Sequence, residues 1–149
     1  MVLYYEYIDT CIGTLRICAD EQALFEVARL HEKVPAPANP NEITRCAATQ
    51  LDEYFCKKRI AFDLPLAPKG TSFQRAVWQE LQNVPFARTV SYRELGERLG
   101  KPRASRAVGN AVGLNPLLIV IPCHRVICSD GALGGFSAGL DAKVKLLEL

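Results

Sequence analysis

The chain has 149 residues, is 49% hydrophobic and carries a formal net charge of +2. That supports one or two small cores, and the weak charge means any nucleic-acid footprint must be local. No apolar run approaches the ~20 residues of a membrane span. The start, Met1-Val2-Leu3-Tyr4-Tyr5-Glu6, lacks the form of a signal peptide, so a soluble protein of the cytoplasm (nucleoid-associated) or nucleus, with no membrane partner, is expected.

Six cysteines fall at 11, 18, 46, 56, 123 and 128, with no C-x-x-C pair. A disulfide framework lacks the secretory context it needs. Cys11 and Cys18 with His31 or Cys46 fit no standard zinc spacing. Buried small side chains are the expectation for the four N-terminal cysteines, and no metal is expected.

In chain order, residues 3 to 8 and Leu15-Arg16-Ile17-Cys18 read as a hairpin turning at Gly13-Thr14. Residues 23 to 30 could form a third strand. Pro35, Pro37 and Pro40 make an irregular loop, and Asn41 is placed to cap a helix over 42–56. Lys57-Lys58-Arg59 then complements the helix dipole. Ile60, Phe62 and Leu64 alternate as a short strand, and Pro65 to Gly70 reads as a linker. A domain boundary is set there, giving units 1–65 and 66–149.

The second unit opens with a capping box, Thr71-x-x-Gln74, ahead of Phe73, Ala76, Val77 and Leu81 on one face, with Trp78 assigned to the core. Asn83-Val84-Pro85-Phe86 ends that element. A second box, Ser91-x-x-Glu94, starts a short helix with Tyr92, Leu95 and Leu99. It is closed by Gly100 with Pro102 beyond. A third helix from about Arg103 to Val112 completes a helix-turn-helix pattern. Ala104, Ala107, Val108, Ala111 and Val112 form its core face, while Arg103, Arg106, Gly109, Asn110 and Gly113 lie opposite. Small residues beside guanidinium groups suit close approach to a phosphate backbone or groove. The competing reading is a solvent face whose glycines permit helix packing.

Leu117 to Ile121 reads as a buried strand ended by Pro122. Cys123 is thereby presented at a strand end beside His124 and Arg125, in surroundings that suit a reactive thiol. A buried cysteine acting as a small hydrophobe remains open at this point. His124 is the only histidine in this half of the chain. Adjacent side chains diverge on extended backbone, so a relay through water is easier to build than direct contact. Arg125 could hold the loop or meet a phosphate. Ser129-Asp130-Gly131 signals a hairpin turn. Residues 134 to 139 form a loop roomy enough to lie over a bound ring, and Asp141 caps a last helix bearing Val144, Leu146 and Leu147. A thiol behind a DNA-reading helix points to chemistry on a flipped base, with Arg106 suited to fill the gap or, more plainly, to contact a phosphate.

Residues 73 to 147 resemble the active domain of the O6-alkylguanine-DNA alkyltransferases. The strings that carry the resemblance are Phe73-Gln74, Val90-Ser91-Tyr92, Ser105-Arg106-Ala107-Val108-Gly109-Asn110-Ala111, Asn115-Pro116, Ile119-Val120-Ile121-Pro122-Cys123-His124-Arg125-Val126 and Gly139-Leu140. The first 65 or so residues are similar to that family's ribonuclease-H-like domain. The implied fold is α/β, with a ribonuclease-H-like α+β domain followed by a mostly helical domain with a helix-turn-helix.

The resemblance also implies roles. Cys123 takes the alkyl group irreversibly from guanine O6 (less readily from thymine O4), and His124 is its water-linked base. Arg106 replaces the flipped guanine in the stack, and Tyr92 turns out the phosphate and donates to guanine N3. Asn115 is the hinge between recognition helix and thiol segment. Gly135, Phe136 and Ser137 form the pocket over the guanine. Arg103, Gly109, Asn110 and Ser129 complete a DNA face that enters the minor groove. The partner is double-stranded DNA with O6-alkylguanine, met by a monomer that uses no cofactor and acts once.

The family's histidine-orienting glutamate would fall at position 150, past Leu149. Glu148, two positions earlier, points about 200° around the helix, so no His124–Glu148 pair is expected. A truncated chain with a poorly oriented His124 and slow transfer is the expectation. A glutamate restored at 150 is expected to speed transfer, and equal rates would sink that idea. Two other classes share parts of the pattern. A DNA-binding regulator with a sensing thiol needs neither Asn115 nor the glycine-rich loop, and a cysteine hydrolase predicts turnover.

Overall fold

Alternating apolar and polar residues in the N-terminal third build strands, because successive side chains on extended backbone face opposite ways. The computed structural model describes residues 2–31 and 37–149, which form two units. The first is Met1–Pro68 with Pro116–Val120 and Leu149; the second is Lys69–Asn115 with Ile121–Glu148.

In the first unit β1 (Tyr4–Thr10), β2 (Gly13–Ala19) and β3 (Leu24–Arg29) form an antiparallel sheet in the order β1-β2-β3. Thr10 pairs with Gly13, so the β1–β2 turn is Cys11-Ile12, two residues earlier than the Gly13-Thr14 turn read from the sequence. The Thr10 hydroxyl steers that turn by accepting from the Ile12 amide at 3.2 Å. Leu15, Ile17 and Ala19 put one face of β2 wholly into the core. The covering helix is α1 (Glu42–Phe55), which brings Ala47, Leu51 and Tyr54. Asn41 caps it as the sequence indicates, in a reciprocal box with Thr44.

Two stretches depart from expectation here. Residues 60–64 do not pair as a strand. The buried Gln50 side chain instead brackets Asp63, donating to its carbonyl at 3.0 Å and accepting from its amide at 2.9 Å. Residues 65–67, read as linker, add to the free edge of β3: the Leu24 amide donates to the Pro65 carbonyl and the Ala67 amide to that of Leu24. The compact unit therefore runs on to Pro68.

Leu117 to Ile121 is not a strand either. Leu117 makes one parallel bridge to Val27, further along the same edge of β3. Leu118–Val120 then closes a three-residue turn, with a 2.7 Å bond from the Val120 amide to the Leu118 carbonyl and Ile119 at φ 72°. A β-branched residue at positive φ is strained by about 1–3 kcal/mol. Full burial of its side chain, 1% exposed, offsets that with roughly 2–3 kcal/mol.

The second unit contains α2 (Ser72–Leu81), β4 (Val90–Ser91), α3 (Tyr92–Arg98), α4 (Ser105–Gly113), β5 (Val126–Ile127) and α5 (Leu140–Glu148). Both sequence-read capping boxes, Thr71/Gln74 and Ser91/Glu94, form. The core gathers Val77, Trp78 and Leu81 of α2 with Leu95, Val108, Ala111 and Val112. The Trp78 indole donates to the Ala111 carbonyl at 2.8 Å, fixing α2 to α4. Gly70 has to be glycine: a β-carbon there would lie 2.5 Å from the Trp78 ring. Ala76 and Ala107, assigned to apolar faces, are exposed.

The α3–α4 turn closes on Gly100 at φ 71°, with the Lys101 amide bonding the Gly96 carbonyl at 2.8 Å and that of Gly100 bonding Glu97 at 3.0 Å. This is the double bond of a glycine-ended helix. Arg103 lies in that turn and Ala104 at the cap position, so α4 starts two residues later than read. At the other end of the unit β5 pairs in parallel with β4. The Asp130-Gly131 turn closes only on itself, through the Cys128 amide and Ala132 carbonyl, so no β-hairpin forms there. Asp141 sits inside the first turn of α5, and Val144 is 38% exposed.

Candidate active site

Pro122 determines how the thiol is presented. Its φ of −80° and ψ of 64° form a tight three-residue turn, closed by the Cys123 amide on the Ile121 carbonyl at 2.8 Å. A single 3-10 turn, Cys123–Arg125, follows and runs into β5. Asn115, just past α4, donates to the Ile121 carbonyl at 2.8 Å. The side chain just after α4 thus fixes the residue two before the thiol.

The site is more enclosed than the sequence implies. Cys123 is 2% exposed and His124 1%, where a partly open thiol was expected. Burial pushes the Cys123 thiol up to about 11. A hydrogen bond from Asn115, the Lys143 charge and the backbone amides of Cys123 and His124 oppose it. Burial also pushes His124 down to about 3, aided by the positive charges of Arg125 and Lys143. Both groups are therefore neutral at pH 7. Nδ1 of His124 is buried with no hydrogen-bond partner. Glu148 is exposed.

Arg125 turns away from any phosphate role. Its guanidinium donates to the Val84 carbonyl at 2.8 Å and lies 5.8 Å from the Phe86 ring centre, so it holds the loop before β4. Tyr92, the first residue of α3, is half-buried. Its hydroxyl pKa is raised by burial, then by Cys128 and Cys123 nearby. Its ring contacts Gly109 at the position of a missing β-carbon, 3.9 Å away. Gly134 is tighter: a β-carbon there would stand 3.3 Å from both Tyr92 and the Cys128 sulfur, at a φ of 70° that favours glycine.

The remaining sequence-read residues are at the surface. Arg103, Arg106, Asn110 and Ser129 are exposed, as are Gly135 and Ser137, with Phe136 half-exposed. Gly109 is the one member of the outer arc that turns inward, to Tyr92. The Phe136 carbonyl accepts from the Gly139 amide at 2.9 Å, rounding the loop that carries Ser137.

Lys143 was read only as part of a helix motif, yet it is fully buried. Its ammonium donates to the Val126 carbonyl at 2.6 Å, the Gly135 carbonyl at 3.2 Å and the Leu133 carbonyl. Its position on the buried stripe with Ala142 and Leu146 was the only available signal. No group of three or more His, Cys, Asp or Glu among the described residues could hold a metal. Cys11, Cys46 and Cys56 are exposed and only Cys18 is buried, contrary to expectation. The exposed three lie on a hairpin turn, a helix face and a helix end, where a small side chain remains open to water.

The site can thus hold a neutral thiol out of water, next to a neutral imidazole and within reach of cationic and amide groups that favour a thiolate. The comparisons agree with that chemistry. Residues 72–149 match the 6-O-methylguanine DNA methyltransferase DNA-binding domain, and residues 3–68 match the ribonuclease-like domain of the same proteins. A methylated-DNA–protein-cysteine methyltransferase of Methanosarcina barkeri is 45% identical over 99% of this chain and 96% of its own length. One from Mycolicibacterium paratuberculosis is 40% identical over 99% and 92%. The structure of Mycobacterium tuberculosis OGT in complex with DNA superposes with a TM-score of 0.89 at 38% identity, covering 97% of this chain and 91% of that one. The chain therefore belongs to the methylated-DNA–protein-cysteine methyltransferases, a family of DNA-repair proteins.

Proposed function

We propose that the chain repairs O6-alkylguanine in double-stranded DNA, and O4-alkylthymine less readily, by moving the alkyl group irreversibly to Cys123. The observation that carries this reading is the Cys123 thiol itself, buried beside neutral His124 and held by Asn115 through both Ile121 and the thiol. A thiol so protonated is nearly inert toward stray electrophiles. It becomes a nucleophile when its proton passes through a linking water to His124, with the Asn115 hydrogen bond and the Lys143 charge favouring the thiolate.

In the transfer, a bond forms between sulfur and the alkyl carbon as the carbon–O6 bond breaks. The electron pair passes into the guanine ring, which takes up a proton. The thioether is not hydrolysed, so each molecule acts once and no cofactor takes part.

A base inside a duplex cannot reach a buried thiol, so the account requires flipping. Arg106, exposed on α4 beside small residues, fills the vacated stack, while Arg103, Gly109, Asn110 and Ser129 line the minor-groove face. Tyr92 supports the turned-out phosphate and donates to guanine N3. Gly135, Phe136 and Ser137 cover the base, with Ser137 bonding near O6. The M. tuberculosis relative was solved in complex with DNA, which supports DNA as the partner. We assign the protein to the cytoplasm or nucleus, acting as a monomer.

The test is stoichiometry. Duplex DNA with alkyl-labelled O6-methylguanine, offered in excess, is expected to leave one label per protein chain and no further reaction. Label released to water with repeated turnover would point to a hydrolase, and no label at all to a regulator.

A further inference from the structure

A solvent-exposed leucine ends α4. Leu114 is 62% exposed. It caps the helix with backbone close to helical, φ −98° and ψ 9°, and its amide bonds the Asn110 carbonyl at 3.2 Å. A single exposed leucine is common on protein surfaces, but the place of this one is not arbitrary. Residues four apart on a helix stand one above another, so Arg106, Asn110 and Leu114 form one ridge, and all three are exposed. The next residue, Asn115, turns the other way, is buried and donates to the Ile121 carbonyl. The chain thus points an apolar side chain outward at the same place where it ties the helix to the thiol segment.

We propose that Leu114 is a DNA-contact residue whose side chain packs against the deoxyribose wall of the minor groove. This rests on the reading of the α4 face above and adds an apolar contact to a face otherwise made of guanidinium, amide and glycine. A rise of 1.5 Å per residue sets Leu114 about 12 Å along the axis from Arg106, while the minor groove is only about 6 Å wide. With Arg106 in the vacated stack, a helix lying across the groove brings the far end of the ridge to the strand wall. There deoxyribose offers carbon–hydrogen surface between the phosphates. Leucine has no donor for a phosphate and gains only by removing such surface from water. The neighbouring Gly113 leaves room for that approach: a β-carbon there would meet nothing within 4 Å. Apolar burial releases no counterions, so it strengthens binding alike at low and high salt, unlike a cation on a phosphate.

Three variants are measured against the unmodified chain. The duplex Kd is taken at several salt concentrations, and transfer from free O6-benzylguanine reports on the thiol pocket alone. Leu114→Ala is expected to weaken the Kd by on the order of tenfold at every salt concentration. The slope of log Kd against log salt should stay as it is, and the free-base rate within about twofold. Leu114→Met is expected to bring the Kd back to within about twofold of the unmodified chain. Leu114→Lys is expected to steepen the slope by about one, since an ammonium at the strand wall displaces one more counterion. A Kd within about twofold for Leu114→Ala overturns the proposal, as does an unchanged slope for Leu114→Lys. So does a free-base rate that falls in step with the Kd, because Leu114 would then act through Asn115. Duplex binding without transfer by the unmodified chain refutes the alkyl-transfer reading alone, and the Leu114 series still decides. No duplex binding by the unmodified chain refutes both.

Discussion

The outer face of α4 and the pocket around Cys123 belong to the same unit and are built on opposite principles. The helix face is exposed, with Arg106 and Asn110 standing in water, and only Gly109 on it turns toward a neighbour, Tyr92. Among the described residues Nδ1 of His124 is the one buried side-chain nitrogen or oxygen without a hydrogen-bond partner; around the thiol Asn115 holds Ile121, Arg125 holds Val84, and Lys143 holds three carbonyls. On the reading proposed above, the first region meets DNA and the second carries out the transfer. Substitutions on the face should therefore change which substrates reach the thiol, and substitutions in the pocket should change the reaction itself.

The largest effect belongs to the pocket. Cys123→Ser is expected to abolish transfer, by at least about a thousandfold, with duplex affinity kept. Cys128→Ser, a half-exposed thiol five residues on, is expected to leave the rate nearly unchanged. Single-turnover assays of the two variants check both, and reversed effects would reassign the acceptor. Next is the face. Arg106→Ala should slow transfer from duplex DNA by on the order of ten- to a hundredfold, because unstacking a base costs a few kcal/mol. Transfer from a free O6-alkylguanine base should change little. Equal losses on both substrates would deny Arg106 any part in flipping.

A pH series divides the two regions differently. The folded His124 pKa, about 3, lies below its unfolded value near 6.5, so below that value the unfolded chain binds the extra proton. Its contribution to stability is present above about pH 6.5 and is lost as pH falls toward 3. The Cys123 thiol, raised to about 11 from 9.0, works at the other end, and stability is lost as pH rises from 9 toward 11. Thermal melts of His124→Gln against the unmodified chain should show a shallower acid limb in the variant; identical limbs would mean that His124 is not held neutral. The smallest effect is in the turn that orients the face. Gly100→Ala meets no atom within 4 Å, so its cost is conformational, about 1 kcal/mol, seen as a Tm lower by about 3 °C.

Local signals made much of this readable from the sequence. Asn41, Thr71/Gln74, Ser91/Glu94 and Gly100 act at helix ends, where one side chain or one glycine decides the backbone. Periodicity likewise placed Val108, Ala111 and Val112 on the core face of α4. The failures have a common cause in distant partners. Ile60 to Leu64 alternates like a strand, but its backbone is met by Gln50, and Leu117 to Ile121 is apolar like a strand, yet has only Val27 beside it before the chain turns. The exposure of the thiol also could not be read, since Pro-Cys-His-Arg is compatible with an open or a buried turn. Lys143 is the sharpest case. A lysine on a buried helix stripe reads as a break in the pattern until its three carbonyls are seen.

The central claim is that Cys123 is the acceptor, and mass spectrometry tests it most directly. After exposure to duplex DNA containing O6-methylguanine, the peptide bearing Cys123 is expected to gain one methyl group, with the other five cysteines unmodified. An unmodified Cys123 peptide alongside repaired DNA, or a methyl on Cys128, would contradict the account.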